Sequence, residues 1–350
     1  MGPKFMSHVN IHDKSGLEAL FKELNQPKFR IKQFYEALYK QGVSSVDEIT
    51  TFPKDVRAIL SEKIQFESLN IAIVQESKKD DTIKFLLKTE EGFKIECVLM
   101  RHLSGRNTLC VSSQVGCPMG CAFCATGKMG LTRNLKTAEI VDQVLCVNRF
   151  IKKFDQRVTN VVFMGMGEPL LNLENVVPAL DLLCNEEALN LSNRHVTIST
   201  CGLIKGILDL MKSNHKVNLA ISLHSADQKT RSELMPVNLK NPLENLMEVL
   251  DEYVALTNRR VFYEYIMIAD ITDSEKMAKK LGHMLRDRLA HVNLIPYNQA
   301  NNRDKFAPST KEAVREFQII LNSYGVTNSI RYTLGDDIDA ACGQLAGKNI

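Results

Sequence analysis

The residues of this chain best suited to chemistry are three cysteines in Cys117-Pro118-Met119-Gly120-Cys121-Ala122-Phe123-Cys124, spaced C-x3-C-x2-C. Thiolate is the soft ligand that iron–sulfur clusters and zinc select, and so tight a spacing gathers the sulfurs about one centre. A closed zinc or ferredoxin-type site needs a fourth ligand. None follows, for the next cysteine is Cys146 and no histidine lies between Cys124 and His195. Three ligands on a cubane leave one iron open to hold a small chelating substrate while it reacts. On these residues alone, a zinc knuckle, a redox pair at Cys121 and Cys124, and three incidental cysteines compete with that reading.

The elements that must position this loop can be read on both sides of it. Candidate strands at 108–112, 158–164, 195–199, 217–223, 261–267 and 291–295 alternate with helical stretches such as 137–150, 173–184 and 273–289. Such alternation predicts an α/β fold with a parallel sheet and helices outside it. Six units are too few for an eight-stranded barrel, so a partial (β/α)6 barrel is expected, with its chemistry at the C-terminal strand ends. Residues 14–70 read as helical. Ile31, Phe34, Tyr35 and Leu38 share one face there, while Lys28, Arg30, Lys32 and Lys40 accompany the single acid Glu36, a solvated stripe or an RNA grip with equal weight. Pro53 opens a further short helix ending near Ser61. Alternating apolar runs at 71–74, 83–87 and 93–99 predict a β meander. The expected domains are an N-terminal α+β accessory domain at 1–100, a core at 101–333 that closes with a helix at 310–324 and a strand at 327–332, and a tail at 334–350.

Four strand ends carry polar or small residues where a core would not want them. Gly167 and Glu168 follow Val161-Val162-Phe163, and a carboxylate beside a glycine suits an amino group. Ser199 ends the next strand, Ser222-Leu223-His224 the one after, and Asn298 follows Ile295-Pro296-Tyr297. Hydroxyl, imidazole and amide suit a ribose and a carboxylate. For any one of them, satisfying backbone at a strand end is an equal reading, and their recurrence at one edge favours a pocket. A Ser-His-Asp hydrolase is excluded by the lack of a G-x-S-x-G turn.

Composition sets outer limits. At 350 residues the chain exceeds the ~250–300 at which one core stops growing, so a second unit is expected. No apolar run approaches the ~18–20 residues of a membrane span, and no signal pattern opens the chain, which predicts a cytoplasmic protein. Nine cysteines, an odd number, do not form a secreted disulfide framework and point to metal or catalysis. The net charge of +3 leaves no global basic signal, so any RNA site must be local. Lys128, Arg133 and Lys136, in a stretch without acids from Cys121 to Ala138, are candidates. Cys342 sits in Ala340-Ala341-Cys342-Gly343 among small residues and acids, unlike a buried spare thiol, and Cys110 lies seven residues before the first cluster cysteine.

The cysteine spacing resembles that of the radical S-adenosylmethionine (SAM) superfamily. Within it, residues 110–124, 165–172, 294–298 and 335–345 resemble the RlmN group of RNA adenine methyltransferases. The resemblance implies a 4Fe–4S cluster on Cys117, Cys121 and Cys124, and SAM held by Gly167, Glu168, Ser199, Ser222, Leu223, His224 and Asn298. It makes Cys342 the residue that is methylated, gives up a hydrogen from its S-methyl group, and adds the resulting methylene radical to adenine carbon 2. Cys110 then resolves the protein–RNA crosslink through a transient disulfide with Cys342. A proton-accepting role falls to Glu96, with Cys110 as its competitor. The implied partners are 23S ribosomal RNA, tRNA and an electron donor such as flavodoxin or ferredoxin, with the chain acting as a monomer and no membrane partner. The related Cfr type modifies carbon 8. Pro169, Asp336 and Asp337 favour carbon 2, while Cys97 and Cys201 stand where the RlmN pattern commonly has Thr and Ser. A zinc-stabilised, non-catalytic RNA-binding protein is the alternative of another class.

Overall fold

The computed structural model describes residues 8–213, 215–298, 305–331 and 333–346. The carboxylate of Asp13 accepts the Gly16 N–H at 3.0 Å and so caps the first helix, Lys14–Glu23 (α1). Phe29–Tyr35 (α2) runs on into a wider turn at Glu36–Gln41, and Lys54–Lys63 (α3) starts after Pro53. Phe34, Tyr35 and Leu38 are buried as their spacing predicts, against Leu17, Phe21 and Leu60. Arg30 is drawn inward: its guanidinium lies over the Phe29 and Phe52 rings and donates to Gln33.

The meander follows as Leu69–Glu76 (β1), Thr82–Thr89 (β2) and Lys94–Arg101 (β3). It does not form a layer of its own, because β3 pairs antiparallel with Asn107–Cys110 (β4) and thereby joins the core sheet. A small hairpin, Gln114–Cys117 (β5) with Gly130–Asn134 (β6), then brackets the cysteine loop; the sequence reading did not anticipate it. Thereafter strand and helix alternate: Thr137–Ile151 (α4), Asn160–Phe163 (β7), Leu173–Cys184 (α5), Val196–Thr200 (β8), Ile204–Met211 (α6), Asn218–Ser222 (β9), Gln228–Leu234 (α7), Leu243–Thr257 (α8), Val261–Met267 (β10), Glu275–Leu285 (α9), Ala290–Pro296 (β11), Lys311–Ser323 (α10) and Asn328–Ile330 (β12).

These strands form one ten-stranded sheet in the order β12-β11-β10-β9-β8-β7-β4-β3-β2-β1. The segment from β4 to β12 is parallel, giving the expected partial barrel, and its two edges, β12 and β1, do not pair with each other.

Register explains which side chains face inward. Val161, Ile198, Leu219, Ile221, Tyr263, Val292 and Leu294 share the outer face and are buried against the helices. The alternate residues face the concavity. They include a cross-strand row of Ser222, Glu264, Asn293 and Ser329, and on the other flank Lys84, Glu96 and Cys110. A parallel sheet buried on both faces would be apolar on both. Here the inner face is polar, so it lines a cavity rather than a second core.

Candidate active site

The cysteine loop owes its shape to the hairpin beneath it. Gly116 has φ +79°, and a Cβ there would fall 2.0 Å from the Gly130 carbonyl oxygen, so only glycine permits the two strands to meet. The Cys124 N–H donates to the Cys121 carbonyl at 3.2 Å, and the Ala122 N–H donates to the Leu234 carbonyl at the end of α7 at 2.9 Å. Burial pushes the Cys117 thiol up to about 11 and raises Cys121 further, with the neighbouring loop thiols adding to each. The three thiols thus act on one another's charge. Yet no three His, Cys, Asp or Glu side chains among the described residues converge on one point as a single ion would require. Three thiols on one short loop suit a polynuclear cluster, in which each thiolate ligates its own iron.

The strand-end residues lie at the C-terminal edge of the sheet, as expected, with different employment. Gly167 has φ +103° and lies against Gln114, whose Oε1 accepts the Glu168 N–H at 2.8 Å. Glu168 is buried, and its two carboxylate oxygens accept the N–H groups of Leu170 (3.1 Å) and Cys201 (2.8 Å). Burial raises its pKa while those bonds oppose the rise. Leu223 is wholly within the core, and its N–H and C=O are bonded to Glu264 and Arg231, so it shapes the strand end through its backbone. His224 occupies the left-handed region (φ +56°), stands edge-on to Phe123 of the cysteine loop at 4.7 Å, and accepts the Ile266 N–H on Nδ1 at 3.1 Å. Burial, with Arg231 assisting, lowers its pKa to about 3, so the ring is neutral. Ser199 and Ser222 face the cavity, and Asn298 accepts the Thr333 hydroxyl at 3.0 Å where the tail begins.

The tail joins the parts. Gly335 N–H donates to Asp80, Asp337 accepts Ser77 Oγ and the Lys78 N–H, and Asp336 pairs with Lys79, which fastens its start to the β1–β2 turn. Farther on, Ala125 N–H donates to the Gly343 carbonyl at 2.7 Å and Thr126 Oγ1 to the Leu345 carbonyl at 2.5 Å, both from the cysteine loop. Ala346 N–H donates to Glu96 at 2.8 Å, and Lys84, 3.3 Å from Glu96, also donates to the Asp339 carbonyl. Cys342, between these anchors, is reached by solvent although protein surrounds its thiol, the disposition of a group facing a cavity. Burial raises its pKa, with Glu264 adding and Arg331 opposing. Cys110 is buried and its thiol strongly raised by burial, with Cys342 the next contributor, so the two sulfurs lie within each other's field as free thiols.

Two residues of the site escape a sequence reading. Arg231 is fully buried and donates to the carbonyls of Cys201 (2.7 Å), Leu223 (3.1 Å) and Ser222 (3.3 Å) and to the side chain of Asn238, clamping the ends of β8 and β9. Within Gln228-Lys229-Thr230-Arg231-Ser232 it reads as a surface helix residue. Glu264 carries a signal, as a lone acid inside Val261-Phe262-Tyr263-Glu264-Tyr265-Ile266-Met267. Conversely, candidate RNA contacts beside the loop meet acids: Arg133 pairs with Glu139 and Glu91, and Lys136 with Glu91 at 3.3 Å. The stretch has no acids of its own, and those that pair with it arrive from elsewhere in the fold.

Comparison with known proteins agrees with this geometry. Residues 111–281 match the family model of the radical SAM superfamily, and residues 9–66 match that of the ribosomal RNA large subunit methyltransferase N-terminal domain. The cysteine loop and partial barrel thus define a radical SAM protein. The probable dual-specificity RNA methyltransferase RlmN of Staphylococcus haemolyticus (strain JCSC1435) is 42% identical over 93% of this chain and 89% of its own. The corresponding protein of Staphylococcus aureus (strain NCTC 8325 / PS 47) is also 42% identical with the same coverage. The crystal structure of a radical SAM methyltransferase from Sphaerobacter thermophilus superposes with a TM-score of 0.93 at 38% identity, over 97% of this chain and all of that one. The chain belongs to the RlmN family of radical SAM RNA methyltransferases.

Proposed function

We propose that the chain methylates carbon 2 of adenosine, both at the peptidyl-transferase centre of 23S ribosomal RNA and just 3′ of the tRNA anticodon, with Cys342 carrying the methyl group. One observation carries the reading: the tail is anchored at once to the cysteine loop through Gly343 and to Glu96 through Ala346, which stations Cys342 between the loop and Cys110. The dual specificity named for the relatives supports the two RNA classes. Pro169, Asp336 and Asp337 favour carbon 2 over carbon 8.

Cys117, Cys121 and Cys124 would hold a 4Fe–4S cluster. Gly167, Glu168, Ser199, Ser222, His224 and Asn298 would hold SAM at the adjoining strand ends, with Leu223 setting their backbone. The cluster and SAM together supply one-electron chemistry, which carbon 2 of adenine requires, being too electron-poor to attack a methyl sulfonium as a nucleophile. Cys342 accepts a methyl group from one SAM. Once a hydrogen atom is removed from that S-methyl group, its methylene carbon bonds to carbon 2, and the adduct gives up one electron. Glu96, or Cys110 in its place, takes the proton from carbon 2. Cys110 sulfur then attacks Cys342 sulfur. The S–CH2 bond breaks, a disulfide forms, and the released carbon takes up a proton as the product methyl group. Both thiols start protonated, since burial raises each, so Cys110 must give up its proton as it attacks, and that proton balances the one taken up by the released carbon. The reductant would be a flavodoxin or ferredoxin, and the setting the cytoplasm with the chain a monomer.

The test is anaerobic incubation of the reconstituted protein with SAM, a reductant and a ribosomal RNA fragment, followed by mass spectrometry of the nucleosides. Production of 2-methyladenosine is expected. Formation of 8-methyladenosine would overturn the regiochemistry, and SAM cleavage with no methylated base would overturn the substrate.

A further inference from the structure

The inner face of β10 carries a carboxylate that the reaction above does not use. Glu264 is buried in the middle of the strand and points into the cavity, level with Ser222 on one side and Asn293 on the other. It is built in rather than incidental. Asn293 Nδ2 donates to Glu264 Oε1 at 2.8 Å, Ser329 Oγ in turn donates to Asn293 Oδ1 at 3.1 Å and so fixes the amide, and Arg331 stands 3.6 Å from the same Oε1. Both partners of the carboxylate among the described residues thus fall on one oxygen, which leaves Oε2 for a donor from the cavity. A buried carboxylate held this way is costly unless something uses it.

Its position relative to Cys342 suggests what. The Glu264 carbonyl accepts the His224 N–H, the His224 ring meets Phe123, and Phe123 adjoins Gly343 next to Cys342, so the carboxylate and the sulfur look into one cavity, in keeping with the influence of Glu264 on that thiol. In adenine the exocyclic amino group is separated from carbon 2 only by the ring carbon that bears it and one ring nitrogen. A sulfur that addresses carbon 2 therefore has the amino group close at hand, and a fixed acceptor on the wall of the same cavity is where an aminopurine would be read.

We propose that Glu264, oriented by Asn293 and Arg331, is a specificity-determining residue whose Oε2 accepts a hydrogen bond from the exocyclic amino group of the RNA adenine while Cys342 meets carbon 2. The inference rests on the adenine reading above and adds to it the residue that recognises the base. SAM also carries an adenine, so the same chemistry has a second source. The experiment must separate the two.

Two RNA fragments are compared, one with adenosine at the target and one with purine riboside, which lacks only the amino group. The wild-type enzyme is expected to prefer adenosine roughly ten- to hundredfold in kcat/KM, the scale of one charge-assisted hydrogen bond. In Glu264→Ala that preference should fall to near unity because the adenosine rate drops toward the purine rate, with SAM affinity unchanged; Glu264→Gln, which keeps an acceptor, should recover part of it. A purely structural role would slow both RNAs alike. Undiminished preference in both variants, or no preference in the wild type, would overturn the assignment. So would weakened SAM binding with base discrimination intact, which would give Glu264 to the SAM adenine. Failure of the wild type to methylate the adenosine fragment at all would instead sink the adenine reading, and this inference with it.

Discussion

Arg231 and His224 show how single buried groups set the rim of the site. Arg231 donates to three backbone carbonyls at the ends of β8 and β9, of which that of Leu223 also accepts the Ser225 N–H. Arg231→Met keeps much of the volume but withdraws these donors, at about 1–3 kcal/mol for each acceptor left without a partner, so a loss of about 2–5 kcal/mol in urea unfolding is expected. Burial already lowers this guanidinium to about 10, a measure of how dry the clamp is. His224 makes a pH prediction. The unfolded residue protonates near pH 6.5, the folded one only near 3, so between those values unfolding takes up one extra proton through this ring. Its contribution therefore makes the protein less stable as pH falls below about 6.5, by up to ~1.4 kcal/mol per pH unit, and changes nothing above. His224→Asn should flatten the dependence of unfolding free energy on pH between 6.5 and 4.5 by one proton. At this scale the sequence was legible where type and spacing suffice, as for Cys117, Cys121 and Cys124. Arg231 was not, because nothing in a short polar helix says that its arginine turns inward.

Among the elements, the tail depends most on others for its place. Its start is tied to the β1–β2 turn by Asp80 and Asp337, whose carboxyl is held below the usual range chiefly by the Lys78 N–H and the Ser77 hydroxyl. Gly343 has φ +85°, and a Cβ there would come within 3.3 Å of the Phe123 carbonyl oxygen, so the turn beside Cys342 also needs glycine. Replacing Asp80 and Asp337 together by Ala should accelerate deuterium uptake across 336–346 severalfold and slow methyl transfer, with SAM affinity unaltered. Unchanged exchange would show that the contacts at Ala125, Thr126 and Glu96 suffice. The parallel strands and most flanking helices were visible in the alternation of apolar runs. The β5–β6 hairpin was not, because its strands are four and five residues long and one of them ends on a metal-ligand motif.

Across the whole molecule, the helical N-terminal part is latched to the core by one buried triad. His12 Nδ1 lies 2.8 Å from the Tyr39 hydroxyl and Nε2 lies 2.8 Å from Asp142 of α4, whose second oxygen accepts the Ser68 N–H at 2.6 Å. Asp142→Ala would leave His12 Nε2 and the Ser68 N–H unpaired in a dry interface. A destabilisation of about 2–5 kcal/mol is expected, together with faster proteolysis near residue 68, while Asp142→Asn should recover part of the loss. No sequence pattern pairs residue 12 with residue 142, since only the packed interface brings them together. The wall of the barrel, for its part, is interrupted between β12 and β1, and the tail that leaves β12 runs to the β1–β2 turn. A cavity that takes in one splayed-out base makes no demand on the ends of the strand that carries it. A polymer can be received sideways at any point along its length, so a covalently closed circular RNA bearing the target adenosine should be modified as readily as the linear strand.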